Sequence, residues 1–549
     1  MRLRLIAAFC LAFALGAQVP RGLVVSQERL ASEAGAQVLR EGGNAVDAAV
    51  ATAFALAVVH PAAGNLGGGG FLLSRQPDGA AAFYDFREKA PAVAHPRMWQ
   101  KDGRYDPALH HDSLAAVGVP GTVAGLREAW RRHGRLPWAR LLRPAIALAR
   151  DGFVLTENQA RSLAGVLPEF RRHAPTLAQF SRGGDPLQAG DRLVQRDLAR
   201  TLQRLARDWK DFYRGETARL IVREMRREGG LITAADLRAY RPAQREPLKG
   251  SYRGFEVLAA PPPSSGGQVL LEALNLLEGY DLKALGPQSA GAVHLGAEAL
   301  RRAFADRAQH LGDPDFNPDL PLARLTSKAY AAELRASIRP DRASVSDPAR
   351  FAWPAERPDT THLSVLDRSG WAVSLTYTLE DSYGVRRIVP GAGFLLNNEL
   401  GDFNAEPGRT DATGLIGTAP NLAAPGKRPL SSMCPVILVQ GGRAFLVSGS
   451  PGGRTIPATV LNTVLNTVDF GLDAQAAVDA PRFHHQWLPD RLQVERALPE
   501  TARAGLQALG HTLREVRAQG CAQVILVRDG RAQGGADLRR WSDSGVASE

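Results

Sequence analysis

The spacing of apolar and polar positions separates a helical stretch from a strand-rich one along this 549-residue chain. Over residues 26–40, Leu30, Ala34, Val38 and Leu39 recur at helical intervals until Gly42-Gly43-Asn44 breaks the run. Asn44 suits the cap of a second helix over 45–59, which is apolar on nearly every face and so predicted to be buried, ending at His60-Pro61. The glycine-rich run 64–70 lacks the Gly-Lys-Ser/Thr of a phosphate loop and leads into strand-like Phe71-Leu72-Leu73. It reads as a tight turn with close backbone packing. Residues from about 110 to 350 are mostly helical in pattern, interrupted by a rigid loop at 261–267, and 339–358 reads as an exposed Pro- and Arg-rich linker.

Past the linker the period becomes two. Leu363 and Val365 alternate in a strand beginning at Thr361, Asp367-Arg368-Ser369-Gly370 turns the chain, and 371–379 returns as a second strand. Further strands are predicted at 393–396, 436–439 and 444–447, a helix at about 456–468, and a last strand at 522–527. The expected layout is a helical N-terminal part, an exposed junction and a sheet-rich C-terminal part, with no internal repeat.

Composition narrows the class. At 44% hydrophobic and 22% charged the chain is an ordinary globular protein, which excludes disordered, collagen-like and disulfide-scaffold classes. The +11 charge is carried by Arg spread through the whole length rather than clustered, unlike a nucleic-acid-binding face, and no apolar run is long enough for a membrane span. Arg2 and Arg4 precede an apolar run from Leu5 to Leu15 and then small residues, the pattern of a secretory signal over 1–17. Phe9 before Cys10 argues against a lipid anchor. Cys434 and Cys521 are too few for a disulfide framework and read as buried thiols, with pairing left open.

Candidate chemistry gathers at the junction, in Pro358-Asp359-Thr360-Thr361-His362. A hydroxyl residue heading a strand becomes a nucleophile if the chain is cut before it, because the freed α-amine titrates near 7.7–8.0 and can act as base for its own side chain. Alone, Thr-Thr before a strand is usually just good strand chemistry. Gly452 and Gly453, just before a helix, offer successive N–H groups suited to an oxyanion, or a loop that needs positive φ. Ser431-Ser432 supply paired hydroxyls and Arg87 a guanidinium able to grip a carboxylate. His484-His485 is a poor metal site, since neighbours on an extended segment point to opposite sides.

Taken together, the ordered blocks EGGNAVDAAVA, GNLGGGGF, DFREKAP, GVPGTVAGL, APPPSSGG, FADRAQHLGDPDF, DTTHLSV, LLNNELGDFNAEPG, GKRPLSSM, SGSPGG and APRFHHQWLPD resemble the gamma-glutamyltransferase family of N-terminal-nucleophile hydrolases, from about Gly22 to about Asp543. The resemblance implies an α+β, four-layer αββα fold formed jointly by two intertwined subunits. It implies self-cleavage between Asp359 and Thr360 into a large subunit, 18–359, and a small subunit, 360–549. Thr360 would then attack the γ-glutamyl amide of glutathione or a related donor, forming an acyl-enzyme that water hydrolyses or an amino acid or peptide acceptor intercepts. By the same resemblance Thr378 hydrogen-bonds the nucleophile and Gly452 and Gly453 form the oxyanion hole. Arg87, Ser431 and Ser432 hold the donor's α-carboxylate, and Asp402 and Glu399 face its α-ammonium. No cofactor or metal is implied, no nucleic-acid partner or membrane span, and the location is periplasmic.

Two positions depart from the familiar bacterial form. Glu380 stands where Asn commonly helps bind the donor's amino acid end, and its charge would either tighten the ammonium site or repel the α-carboxylate. Thr413 stands where some members place a gating Tyr, which would admit water and favour hydrolysis over transfer. A β-lactam side-chain acylase of the same fold is the competing enzyme, but a glutaryl group has no ammonium for Asp402. A secreted, unprocessed anion-binding protein would leave the Thr360, Ser431-Ser432 and Gly452-Gly453 set unexplained.

Overall fold

The computed structural model describes residues 22–347, 359–409 and 417–549. The segment 1–17 read as a signal, part of the linker and Thr413 lie outside the described residues. Helix α1 (Arg29–Arg40) packs on α2 (Ala45–Val59), whose fifteen residues are all buried, as the apolar pattern predicts. Asn44 closes a capping box: its side chain accepts from the Val46 and Asp47 N–H groups at 3.0 Å, and Asp47 accepts the Asn44 N–H at 3.1 Å.

Sixteen strands carry the two main sheets and one small one: β1 (Leu23–Ser26), β2 (Gly69–Arg75), β3 (Ala81–Asp85), β4 (Ala243–Arg245), β5 (Leu248–Tyr252), β6 (Phe255–Ala259), β7 (Asp359–Leu366), β8 (Ala372–Glu380), β9 (Val436–Gln440), β10 (Arg443–Ser448), β11 (Phe483–His484), β12 (Leu492–Glu495), β13 (Leu513–Val516), β14 (Gln523–Arg528), β15 (Arg531–Ala536) and β16 (Gly545–Ser548). A seven-stranded antiparallel sheet runs in the order β4-β3-β2-β8-β7-β1-β16, and a six-stranded one in the order β5-β6-β9-β10-β14-β15. Helices α1 and α2, with α3 (Thr122–His133) and α4 (Trp138–Asp151), cover the first sheet. The second is covered by α5 (Gly266–Leu277), α6 (Ala290–His310) and α7 (Ile456–Val468). The two sheets pack face to face between these layers. The architecture is four-layer αββα.

Alternation along β7 and β8 explains which residues meet. Leu363 and Val365 of β7, with Val373, Leu375 and Tyr377 of β8, point to the helix layer and join its core. The intervening residues form a buried polar seam between the sheets. His362 shares hydrogen bonds with Thr376 at 2.8 Å and Ser364 at 3.1 Å, Ser364 donates to the Gln523 carbonyl at 2.9 Å, and Ser374 donates to the Ser448 carbonyl at 3.0 Å. Burial pulls the His362 imidazole down to about 3, so it is a neutral member of the seam.

Several expectations are corrected. Residues 393–396 form only isolated bridges, because Gly393 at φ 78° bends the segment against Leu198 and Asp197. The strand at 523–528 is not the last: β15 and β16 follow, short and half-exposed, with little apolar alternation to betray them. Strand β1 and strands β4 to β6 fall within the part read as helical, so helix and sheet are not segregated along the chain. The described part of the linker, 339–347, is mostly exposed as expected, and it is anchored by Ser344 donating to Glu298 and by the Ser346 N–H donating to Asp490 at 2.8 Å.

Candidate active site

Thr360 lies near the start of β7, opposite Thr378 of β8 in register, and Thr378 in turn lies opposite Gly69 of β2. Even numbering places Thr360 on the inter-sheet face with Thr378, whereas Thr361 turns toward the helix layer. The Thr360 hydroxyl donates to Thr378 Oγ1 at 3.4 Å, and Thr378 Oγ1 also accepts the Glu380 N–H at 2.9 Å. Glu380 adopts φ 79°, a left-handed conformation that Asn tolerates better than Glu.

The glycine run exists to let β2 and its leading turn close on β8. A Cβ on Gly68 would sit 2.1 Å from the Thr378 carbonyl oxygen, and one on Gly70 would sit 2.4 Å from that of Thr376. Asn65 completes the clamp, donating to the Thr378 carbonyl at 2.8 Å while accepting the Gly68 N–H at 3.0 Å.

A cleft enclosing about 310 Å³ of empty space, its open mouth included, brings together Thr360, Thr378, Arg87, Glu380, Glu399, Asp402, Ser431, Ser432 and Gly453. Gly452 is the exception: it lines a neighbouring pocket instead. Both glycines have positive φ, 136° and 53°, and their turn leads through Thr455 into α7. Asp359 is continuous with Thr360 in β7.

Arg87 follows β3 and is completely buried. Its backbone is held by Asp85, which accepts the Arg87 N–H at 3.0 Å, and by the Tyr240 hydroxyl, which donates to the Arg87 carbonyl at 2.9 Å. One guanidinium arm meets Glu399, the other Asp402, and Nε donates to the Pro429 carbonyl at 3.2 Å. Burial works against its charge, but Glu399, Asp402 and Glu88 hold it above the ordinary arginine value. Burial likewise raises the Glu399 carboxyl, to about 7, with Arg87 opposing and Asp402 adding to the rise. Glu88, buried beneath and 3.8 Å from Arg87, is pushed well above the carboxylate range by burial and by Glu399. Three carboxyls, those of Glu399, Asp402 and Glu88, thus surround one guanidinium. Such a cluster favours a second cation and has, in Arg87, one strong anion partner.

Ser431 and Ser432 are fixed by the loop read as rigid. Ser431 N–H donates to the Pro263 carbonyl at 2.8 Å, and Ser265 donates back to the Ser431 carbonyl from its N–H at 2.8 Å and its hydroxyl at 2.7 Å. Arg307 of α6 bridges the same two segments, donating to Ser265 Oγ at 2.5 Å and Ser432 Oγ at 3.0 Å. Arg307 was legible only as a member of the FADRAQHLGDPDF block, and the cleft-lining Met433 and Ile456 only as neighbours of other motifs.

Among the described residues the one grouping of three metal-capable side chains is His294, Glu298 and His511. His294 is committed to His511 at 2.8 Å and to the Arg339 carbonyl at 2.7 Å, and Glu298 to Arg301 and Arg302, so the group reads as a structural network. His485 accepts the Trp487 N–H at 3.1 Å and lies 3.3 Å from Asp490. Cys434 and Cys521 are both free and buried, and burial pushes the Cys521 thiol up to about 12.

A family model described as gamma-glutamyltranspeptidase matches residues 31–547. The glutathione hydrolase proenzyme of Escherichia coli (strain K12) is 45% identical over 534 residues, covering 95% of this chain and 91% of that protein. Among solved structures, a cephalosporin acylase from Bacillus halodurans is similar at TM-score 0.84 and 27% identity over 99% of both chains. A gamma-glutamyltranspeptidase from Helicobacter pylori is similar at TM-score 0.57 and 42% identity, covering 62% of this chain and 95% of that one.

Proposed function

The chain belongs to the gamma-glutamyltranspeptidase family, and from that premise we propose that it is a self-cleaving γ-glutamyltransferase and glutathione hydrolase with Thr360 as nucleophile. The observation that carries this reading is the meeting of Thr360, Thr378, Gly453 and the Arg87–Glu399–Asp402 cluster in one cleft. Maturation separates residues up to Asp359 from a second subunit that begins at Thr360. Attack of Thr360 Oγ1 on the Asp359 carbonyl, with the peptide nitrogen leaving as the α-amine, gives an ester that water hydrolyses.

The freed amine then takes the proton of Oγ1 as that oxygen attacks the γ-glutamyl carbonyl. Thr378 orients the hydroxyl. The N–H of Gly453 in the cleft, with that of Gly452 next to it on the same turn, meets negative charge that develops only in the transition state, which is where such donors accelerate a reaction most. The protonated amine passes its proton to the departing amine, and water or an acceptor amine resolves the acyl-enzyme by the same steps in reverse.

Donor binding is a partner exchange. The substrate's α-ammonium takes over the carboxylates of Glu399 and Asp402, and its α-carboxylate takes the arms of Arg87 that they release, together with the hydroxyls of Ser431 and Ser432. Charge balance supports this reading, because a zwitterion adds one cation and one anion to a cluster already rich in carboxyls. Glutathione and other γ-glutamyl compounds are the donors, and amino acids, peptides or water the acceptors. Among the described residues no helix is long and apolar enough to cross a membrane, and we assign the protein to the periplasm on the segment 1–17.

Mass spectrometry of the wild type beside Thr360→Ala tests the proposal. Two fragments, one starting at Thr360, are expected only in the wild type, together with release of glutamate from glutathione. An uncut, inactive wild type would overturn it.

A further inference from the structure

A second pocket, of about 990 Å³ counting its open mouth, adjoins the Thr360 cleft. One wall is the small sheet of β11, β12 and β13, whose register sets His484 beside Gln493 and Gln493 beside Arg514. That cross-strand row faces the pocket, with Arg491 at the entry to β12. The facing wall is the turn that carries Gly452 and Arg454. Gly452 lines this pocket and the next residue, Gly453, lines the cleft, so a single turn separates the two.

The lining is strongly cationic. Arg454, Arg491, Arg514 and Arg540 contribute to it, and no described lining residue carries a carboxylate. Nearby carboxylates are committed elsewhere: Asp490 to Arg301 and the Ser346 N–H, Glu495 to Arg539 at 2.6 Å, Glu515 to Arg503 at 3.0 Å, and Asp537 to Arg482 at 2.6 Å. Burial, and after it the neighbouring Arg514 charge, pull the Arg491 guanidinium below its ordinary value. Planar guanidinium forks match carboxylates two bonds at a time, and the amide of Gln493 can donate to a remaining oxygen.

We propose that this pocket is a binding site for carboxylate ligands, distinct from the site of the donor's amino acid end, with Arg491 and Arg514 gripping the carboxylate. The carboxylate comes either from the far end of a leaving or accepting peptide that passes over the Gly452 turn, or from a free small acid. Only the first source rests on the γ-glutamyl reading.

Two measurements on the mature protein decide it. Citrate is titrated calorimetrically, at low salt, into the wild type and into Arg491→Ala/Arg514→Ala. Arg491 is only partly buried and Arg514 exposed, so an unchanged thermal midpoint is expected and is checked first. The double variant should bind citrate at least about tenfold more weakly, the loss of one charge-assisted contact or more, and Arg491→Lys/Arg514→Lys should retain part of the affinity. In parallel, kcat/KM is compared for glutathione and its C-terminal amide. A loss confined to glutathione in the double alanine variant identifies the peptide's carboxylate end as the ligand; weaker citrate binding with both donors used equally well identifies a free acid. Citrate binding that is absent or identical in both proteins, with an unchanged ratio between the two donors, overturns the proposal. A wild type that hydrolyses no γ-glutamyl donor counts instead against the proposed function and leaves the citrate result standing.

Discussion

Asp402→Asn separates binding of the donor's ammonium from general damage to the cleft. The substitution keeps shape and removes charge from a side chain 13% exposed, beside Arg87 and Glu399 side chains that are each 1% exposed. Breaking a fully buried ion pair costs about 3–5 kcal/mol. That figure does not apply in full, because Arg87 keeps Glu399 and Asp402 reaches solvent. What disappears is one charge-assisted hydrogen bond to the substrate, about 1.5–3 kcal/mol, or roughly ten- to a hundredfold in kcat/KM. The assay uses two chromogenic anilides, γ-glutamyl and glutaryl, which differ only in the α-ammonium. The variant should lose that factor on the γ-glutamyl donor and stay within about threefold of wild type on the glutaryl donor, since no ammonium is there to lose its partner. Because both donors meet the same enzyme, a misfolded fraction cancels in their ratio. An equal fall on both donors would refute the assignment of Asp402 to the ammonium. The same ratio in the wild type weighs γ-glutamyl transfer against acylase chemistry, which matters for a chain similar in structure to both kinds of enzyme.

Other outcomes follow from the same geometry. With the Glu399 carboxyl raised by burial to about 7, its anionic form appears only as pH rises through that value, so donor KM should fall between pH 6 and 8 in the wild type and stay flat in Glu399→Gln. A raised carboxyl stabilises the fold most below its unfolded value and loses that contribution as pH climbs through about 7, so Glu399→Gln should gain in melting temperature against wild type from pH 5 to pH 8. Gly68→Ala would drive a methyl against the Thr378 carbonyl; we expect about 1–3 kcal/mol of destabilisation, read by chemical denaturation, with activity lost through displacement of β8, and unchanged activity would show that β2 and β8 are not held that closely. Thr378→Val should slow both self-cleavage and turnover while leaving KM within about twofold, because it removes the acceptor of the Thr360 hydroxyl and not a substrate contact; a change confined to KM would count against that role.

Much of this was readable from the sequence where local chemistry and tertiary packing agree. The capped, almost wholly apolar helix at 45–59 has one way to bury itself, and the alternation through Leu363 and Val365 fixes which of two adjacent threonines faces the other sheet. Local chemistry singled out Thr360, Arg87, Ser431, Ser432 and Gly453, whereas Thr378, Glu380, Glu399 and Asp402 came only from the family resemblance. What escaped both was set by distant packing. Strand β1 carries only four residues and is a strand because it is flanked by β7 and β16. The segment 393–396 has strand composition but meets only single bridges. Arg307 joins the site through two serines, one of them 125 positions away, a link no local pattern carries.

Strand order in the seven-stranded sheet has a consequence for assembly. Strands from either side of the Asp359–Thr360 bond interleave: β4, β3 and β2 precede it, β8 and β7 follow it, β1 precedes it and β16 follows it. A subunit pair made by cutting this fold has no docking step in its history, since neither half holds a complete sheet to dock with. Its separation is not a dissociation equilibrium governed by mass action but an unfolding. Ordinary heterodimers come apart on dilution; this one should melt at a temperature independent of protein concentration, and its halves, made as separate chains, should find each other only by folding together.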